Sequence, residues 1–198
     1  DLANKLEEKQ NEYVKTEYSS TLPATPAQMR VYTSQILVPE STLYNVAYAF
    51  KVSAVDKARL ENAINKLIER HESLRTHFET KNGTVYQVID EPSAIDVEGL
   101  TDINTFSKAF DLSKSPLIRV GCNNDTIVVD MHHIAVDGET APVLFSELND
   151  LYMGRELSDE VTQYGEFAVT NRYTDENEKY WLRVFSDEIP DLDLPKDY

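Results

Sequence analysis

The chain contains the stretch Ile127-Val128-Val129-Asp130-Met131-His132-His133-Ile134-Ala135-Val136-Asp137-Gly138. Its first three residues are apolar on both faces, which is typical of a central strand in a sheet. A helix is predicted from about Glu139, with Leu144, Leu148 and Leu151 on one face. The pattern therefore predicts that the two histidines lie at a sheet edge, where ligands and catalytic groups collect in α/β folds.

The side chains of this loop suit acid–base chemistry. Histidine is the side chain best suited to accept a proton near neutral pH. A glycine just before a helix, here Gly138, allows backbone N–H groups to face a developing oxyanion. Two adjacent histidines also occur as structural imidazoles packed beneath a loop, so their spacing alone leaves a catalytic and a structural interpretation open.

Apolar periodicity elsewhere predicts a mixture of strands and helices. A half-buried strand is expected over 44–52, and Asp56 is expected to cap a helix that runs to about Arg70. Asn82-Gly83 predicts a hairpin between strands at 74–79 and 84–89, and a second strand pair is expected at 117–120 and 126–131. Further helices are expected after Thr25-Pro26 and over most of 164–185, with an extended tail at 190–198. These elements predict the α/β class, in a mixed-sheet layered sandwich.

Composition argues against several classes of function. The 198 residues include 35 acidic and 19 basic ones, and the net charge of −16 disfavours binding to nucleic acid and to anionic membranes. No apolar run approaches the roughly 18–20 residues that span a bilayer, and the first residues lack the features of a secretory signal. Cys122 is the only cysteine, and no metal-ligating cluster is evident. A cytoplasmic location is therefore predicted.

Four stretches match known motifs in the same order. Residues 132–138 fit HHxxxDG and residues 70–78 fit RHExLRTxF; residues 25–32 resemble SxAQxRxW/Y, and residues 164–170 resemble YxDFAVW. Together they resemble the condensation domains of non-ribosomal peptide synthetases, which are relatives of chloramphenicol acetyltransferase. The departures are Thr25 for Ser, Glu166 for Asp, Thr170 for Trp, and Val136 and Glu139 around the third motif, so the subtype stays open.

The resemblance implies a domain organisation. Residues 21–198 are expected to form the N-terminal lobe, with a chloramphenicol acetyltransferase-like fold. The C-terminal lobe, which supplies the far wall of the active-site channel in this family, is expected to be absent from these residues. Residues 1–20 are expected to be a linker or the end of a preceding carrier domain. An adjacent adenylation domain is expected, and the isolated lobe is expected to be inactive.

The resemblance also implies amide bond formation between two carrier-bound thioesters. Donor and acceptor carrier domains present the substrates on phosphopantetheine arms, and no cofactor is expected to bind directly to this chain. His133 is expected to act as general base on the acceptor amine or to position it. Gly138 is expected to allow close backbone approach, and His132 to support the loop. Asp137 is expected to form a buried ion pair with Arg75.

Two alternatives fit the same loop. One is a related carrier-dependent acyltransferase or an epimerisation domain, although Glu139-Thr140-Ala141 does not resemble the Val-Ser-Trp type stretch of epimerisation domains. The other is a non-catalytic lobe that recruits a carrier or a tailoring enzyme, against which the intact His133 and Asp137 argue. His71 and His77 are expected to have surface or packing roles.

Overall fold

A computed structural model describes residues 16–159, 161–170 and 175–187 of the chain. Its strands are β1 (Thr21–Pro23), β2 (Asn45–Lys51), β3 (Thr76–Lys81), β4 (Thr84–Ile89), β5 (Glu98–Gly99), β6 (Ile118–Cys122) and β7 (Thr126–His132). Its helices are α1 (Pro26–Leu37), α2 (Lys57–Arg70), α3 (Thr140–Tyr152), α4 (Tyr164–Thr170) and α5 (Asp175–Val184). The predicted tail at 190–198 and most of the predicted linker over 1–20 lie outside the described residues.

A four-stranded sheet carries the larger core. Its order is β2-β7-β6-β5, with antiparallel neighbours except for the parallel pair β5–β6. One face of the sheet packs on α2 and α3, and the buried apolar cluster between them includes Leu60, Ile64, Leu67, Val129, Met131 and Leu144. The central position predicted for the strand before the histidines is confirmed, and so is the mixed-sheet α/β class.

A three-stranded antiparallel sheet, in the order β1-β4-β3, carries a second core. Asn82 and Gly83 connect β3 to β4 with φ angles of 52° and 80°, as the hairpin prediction requires. The strand predicted to begin at Leu74 begins instead at Thr76. Residues Glu72–Arg75 form a 3-10 turn, whose Glu72 carbonyl accepts a hydrogen bond from the Thr76 hydroxyl at 2.7 Å.

The helix ends follow the local sequence. Thr25 and Gln28 form a capping box at the start of α1, and Asp56 accepts the Arg59 N–H at the start of α2. Gly154, with a φ angle of 76°, follows the end of α3. The predicted helical stretch over 164–185 contains α4 and α5. Within the ranges that the structure describes, every helix is too short or too polar to span a lipid bilayer.

Candidate active site

The loop that carries the histidines joins the central strand β7 to α3, and it touches both cores. Ile134 packs into the cluster beside the three-stranded sheet, together with Phe78 and Leu117. Val136 packs into the larger cluster on the other side. Because Ile134 and Val136 are anchored in different cores, the loop spans the seam between the two sheets.

His132 is completely buried at the end of β7. Its Nδ1 accepts the Ile134 N–H at 3.2 Å, so the ring hydrogen lies on Nε2, which faces Gln35 Oε1 at 3.2 Å. Burial, with a smaller effect from His133, lowers the pKa of His132 from 6.5 to about 4. The ring is therefore neutral near pH 7 and is bonded at both nitrogens, which suits the supporting role expected for it.

His133 is exposed. Its backbone N–H donates to the Tyr44 carbonyl at 2.8 Å, and its Nδ1 lies 2.9 Å from the Val136 carbonyl. A carbonyl oxygen only accepts hydrogen bonds, so Nδ1 must carry the ring hydrogen. In the neutral ring this leaves a lone pair on Nε2, the atom that can take a proton from a bound substrate.

Asp137 and Arg75 do not form the predicted ion pair. Asp137 is exposed, and its Oδ1 accepts hydrogen bonds from Glu139 N at 3.1 Å, Thr140 N at 2.8 Å and Thr140 Oγ1 at 2.6 Å. The bonds from Thr140 are the main cause of the lowered pKa of Asp137. The carboxylate thus caps the start of α3 by accepting hydrogen bonds from N–H groups that lie two and three residues further along the chain.

Arg75 has other partners. Its Nη2 lies 3.6 Å from Glu72 Oε1, and its Nη1 donates to the Asp90 carbonyl. Because Arg75 closes the 3-10 turn instead of starting a strand, its guanidinium faces the hairpin rather than the histidine loop. The prediction that it supports the loop by pairing with Asp137 is therefore wrong.

Gly138 lies in open space. A Cβ at this position would meet no atom within 4 Å, and the residue is exposed. Packing within the described residues does not demand glycine there. The close approach expected at Gly138 would have to involve a group outside the described residues, so it stays a prediction.

A cleft of about 320 Å³ adjoins the loop, and residues of all four motifs line it. The first motif contributes Ala27 and Gln28, the second Glu72 and Thr76, the third His133, and the fourth Tyr164. Asp137 also lines the cleft, whereas His132, Gly138 and Arg75 do not. Stretches that lie more than 100 residues apart in the sequence therefore meet around His133.

Polar contacts that the sequence did not reveal hold the cleft walls together. Tyr164 Oη lies 2.8 Å from Thr25 Oγ1, and the buried Gln28 donates to Gln87 Oε1 at 3.1 Å.

The side chain of Tyr18 occupies the space beside Gly165. Tyr18 donates to Glu72 Oε2 at 2.5 Å, and a Cβ on Gly165 would lie only 2.2 Å from the Tyr18 ring. Gly165 is thus the position in the fourth motif where a side chain has no room.

The other two histidines contact carboxylate groups away from the cleft lining. His71 Nε2 lies 2.5 Å from Glu147 Oε2, and His77 Nδ1 lies 2.7 Å from Asp90 Oδ2. Both side chains are largely buried, so these contacts agree with the packing roles expected for them. Across residues 16–159, 161–170 and 175–187, no group of three or more His, Cys, Asp or Glu side chains could hold a metal ion.

The motifs that meet in the cleft match one protein family. The family model for "Condensation domain" matches residues 18–198. This chain belongs to the condensation-domain family. It is 38% identical over 197 residues to tyrocidine synthase 3 of Brevibacillus parabrevis, in an alignment that covers 89% of the chain and 3% of that protein.

Solved structures have the same fold. The X-domain in its complex with OxyB, from teicoplanin biosynthesis, matches with a TM-score of 0.75 at 21% identity, over 93% of this chain and 47% of that one. The starter condensation domain of the rhizomide synthetase RzmA matches with a TM-score of 0.70 at 20% identity, over 84% of this chain and 48% of that one. The chain thus spans just under half of each solved chain and a few per cent of the curated relative.

Proposed function

We propose that this chain is the His133-bearing lobe of a condensation domain that joins two carrier-bound thioesters through an amide bond. The observation that carries the proposal is the meeting of four separate motifs around one cleft, with His133 exposed in it. Membership of the condensation-domain family supports it. The similarity to tyrocidine synthase 3, named as a synthase, points the same way.

The reaction needs a group that receives one proton. The acceptor's α-amine attacks the donor thioester carbonyl, a C–N bond forms, the C–S bond breaks, and the donor carrier regains its thiol. The amine nitrogen loses a proton along the way, and the thiolate that leaves takes one up. The Nε2 lone pair of His133 is suited to hold that proton in transit or to accept a hydrogen bond that orients the amine.

The remaining loop residues support His133 from two sides. His132 fixes the turn through its bond to the Ile134 N–H. Asp137 fixes the start of α3, and the bond from His133 Nδ1 to the Val136 carbonyl sets the direction of the ring. Gly138 leaves space beside the loop for a substrate carbonyl or a pantetheine chain.

The proposed partners lie outside this chain. Donor and acceptor carrier domains would deliver the thioesters on phosphopantetheine arms, which act as part of the substrate. Residues 1–20 would link to a carrier domain, and an adenylation domain would be adjacent. We expect the whole synthetase to act in the cytoplasm.

A second lobe would complete the active site. The chain matches just under half of each solved domain, and α5 carries several exposed large side chains that a second lobe would cover: Tyr180, Trp181, Leu182 and Val184. Residues 21–198 would then be the N-terminal lobe, and this lobe alone would be inactive.

The test is His133→Ala in the intact synthetase, with loaded donor and acceptor carriers. Peptide transfer is expected to fall by roughly 10²-fold or more, the usual contribution of a positioned acid–base group, while the melting temperature stays close to that of the wild type. His77→Gln is the matched control, because His77 contacts Asp90 and does not line the cleft.

Mass spectrometry of the carrier-bound product, together with chiral chromatography of the amino acids released from it, separates the alternatives. Amide-linked product supports condensation; an epimerised donor without chain growth would indicate an epimerisation domain, and an ester would indicate a related acyltransferase. Near wild-type transfer by His133→Ala would remove the assigned role. Absence of any transfer by the wild type would favour a non-catalytic recruiting lobe.

A further inference from the structure

Gln35 is a buried polar residue that no motif includes. It lies in the last turn of α1 with only 2% of its surface exposed, and both ends of its amide are bonded. Oε1 lies 3.2 Å from His132 Nε2, while Nε2 donates to the carbonyls of Pro39 at 2.9 Å and Ser41 at 3.1 Å. An amide bonded at both ends inside a protein is held in one orientation.

We infer that Gln35 is a positioning residue for His133, acting through His132 and through segment 38–44. The inference rests on the proposed function, because it concerns the geometry of the same histidine. It assigns to Gln35 the task of fixing the ring of His132 and the path of the chain that leads to Tyr44.

The first link is the protonation pattern of His132. Two carbonyls at one end of the Gln35 amide require its NH2 group to face them, so its oxygen must face His132. On the opposite side of the His132 ring, the Ile134 N–H requires a lone pair on His132 Nδ1. The contacts at both ring nitrogens therefore require the same state, a neutral His132 with its hydrogen on Nε2.

The second link is segment 38–44. Two of its apolar side chains are largely exposed, Val38 at 58% and Leu43 at 80%. Gln35 bonds to two carbonyls of the segment, which ends at Tyr44, and the Tyr44 carbonyl accepts the backbone N–H of His133 at 2.8 Å. The same glutamine thus braces both sides of the histidine pair.

A buried group that loses its hydrogen-bond partner is destabilised, and it moves if it can find water or another partner. Without Gln35, His132 Nε2–H and the carbonyls of Pro39 and Ser41 lose their partner together. The pairing of β2 with β7 and the backbone bonds of the turn remain, but the His132 ring and segment 38–44 are no longer held against each other, so the ring of His132 can change its position beneath His133. A displacement of about 1 Å at a reacting group can lower a rate by about 10²-fold.

The test is Gln35→Met, which keeps the length of the side chain and removes its polar atoms. In the intact synthetase, with a soluble aminoacyl thioester as acceptor, we expect kcat to fall roughly tenfold or more while KM changes less than about twofold. Asn65→Leu is the control, because Asn65 on α2 likewise accepts from the backbone of Ile95 and donates to it.

A second readout does not depend on activity. The chain has only four histidines, so histidine labelled with ¹⁵N gives a simple NMR spectrum. In the wild-type chain, His132 is expected as a single neutral tautomer with its hydrogen on Nε2. In Gln35→Met, this signal is expected to split or broaden as the ring loses its fixed partner, while His71 and His77 keep their signals.

The outcomes separate this inference from the proposed function. Wild-type kcat in Gln35→Met, an unchanged His132 signal, or an equal loss of kcat in Asn65→Leu would each overturn it. If His133→Ala still transfers peptide normally while Gln35→Met disturbs His132, the role of His133 fails and the brace on His132 stands.

Discussion

The two ends of the loop from His132 to Gly138 are held in opposite ways. His132 is fully buried, and its ring contacts Gln35, which lies 97 residues away in the sequence. Asp137 is exposed, and among the residues that the structure describes its carboxylate bonds to groups two and three residues further along. We call the buried part of this region, around His132, the floor, and the exposed part, around Asp137, the rim. Contacts with distant parts of the chain fix the floor, whereas contacts within a few residues fix the rim. The proposed base, His133, lies between the two.

The same contrast separates two aspartates on either side of the histidines. Asp130 shares the face of β7 with His132 and is completely buried. Arg119 lies 3.1 Å from its Oδ2, and Asn45 and Ser107 also donate to it. Burial raises the pKa of Asp130, and these hydrogen bonds oppose that effect. Asp130 belongs to the buried floor, whereas Asp137 belongs to the exposed rim.

The largest expected effect comes from breaking the floor at Arg119. Arg119→Met leaves the Asp130 carboxylate buried without its cation, which typically costs about 3–5 kcal/mol of unfolding free energy. Denaturant unfolding of the variant and the wild type measures this loss. Adding Asp130→Asn to the Arg119→Met variant should recover part of it, because a neutral amide has a smaller desolvation cost.

Lys51→Met is the matched control for this prediction. It breaks the exposed pair of Lys51 with Asp125, whose side chains are 72% and 55% exposed, and such exposed pairs contribute little to stability. Similar losses in the two variants would show that Asp130 is not part of a buried floor.

The next effect is a pH dependence from His132. Its pKa falls from 6.5 to about 4 on folding, so between these values the unfolded chain binds more protons than the folded one. Stability therefore decreases as the pH falls from about 6.5 to about 4, by about 3 kcal/mol in total, and this residue adds no further loss below that range. At pH 7 the ring is neutral in the folded state, and the contribution is fully retained.

The measurement is the difference in unfolding free energy between the wild type and His132→Leu at several pH values. Other titrating groups contribute almost equally to both proteins, so their effects largely cancel. We expect the advantage of the wild type to shrink between pH 6.5 and 4. A constant difference across that range would mean that His132 is not held neutral by burial.

The sequence predicted what depends on local patterns. The hairpin at Asn82-Gly83, the cap at Asp56 and the central strand before His132 were all confirmed, because each follows from residues within a few positions of one another. Resemblance to a family supplied the order of the motifs, and the structure brings them to one cleft.

The sequence did not predict which partners the polar side chains bind. Asp137 was assigned to Arg75, but the unpaired N–H groups at the start of α3 lie closer along the chain, and Glu72 is a nearer partner for Arg75. Gln35 was missed because no pattern in the sequence links it to a histidine 97 residues away. Partner choice among buried polar groups depends on the three-dimensional arrangement, which periodicity does not encode.

The smallest expected effect tests the exposed rim. Asp137→Ala removes the acceptor for Glu139 N, Thr140 N and Thr140 Oγ1, and the loss of such a capping side chain costs about 1 kcal/mol. Asp137→Asn keeps an oxygen at that position and should cost less. A buried ion pair with Arg75 would instead cost about 3–5 kcal/mol, so denaturant unfolding distinguishes the two arrangements.

A double-mutant cycle with Arg75→Met gives the sharper result. Because Arg75 contacts Glu72 and the Asp90 carbonyl rather than Asp137, the two substitutions should add to within about 0.5 kcal/mol. A coupling well above that value, together with a large loss for Asp137→Ala alone, would restore the ion pair that the sequence suggested. Additive, small losses would mean that Asp137 caps the start of α3 locally and that the rim can be altered at little cost in stability.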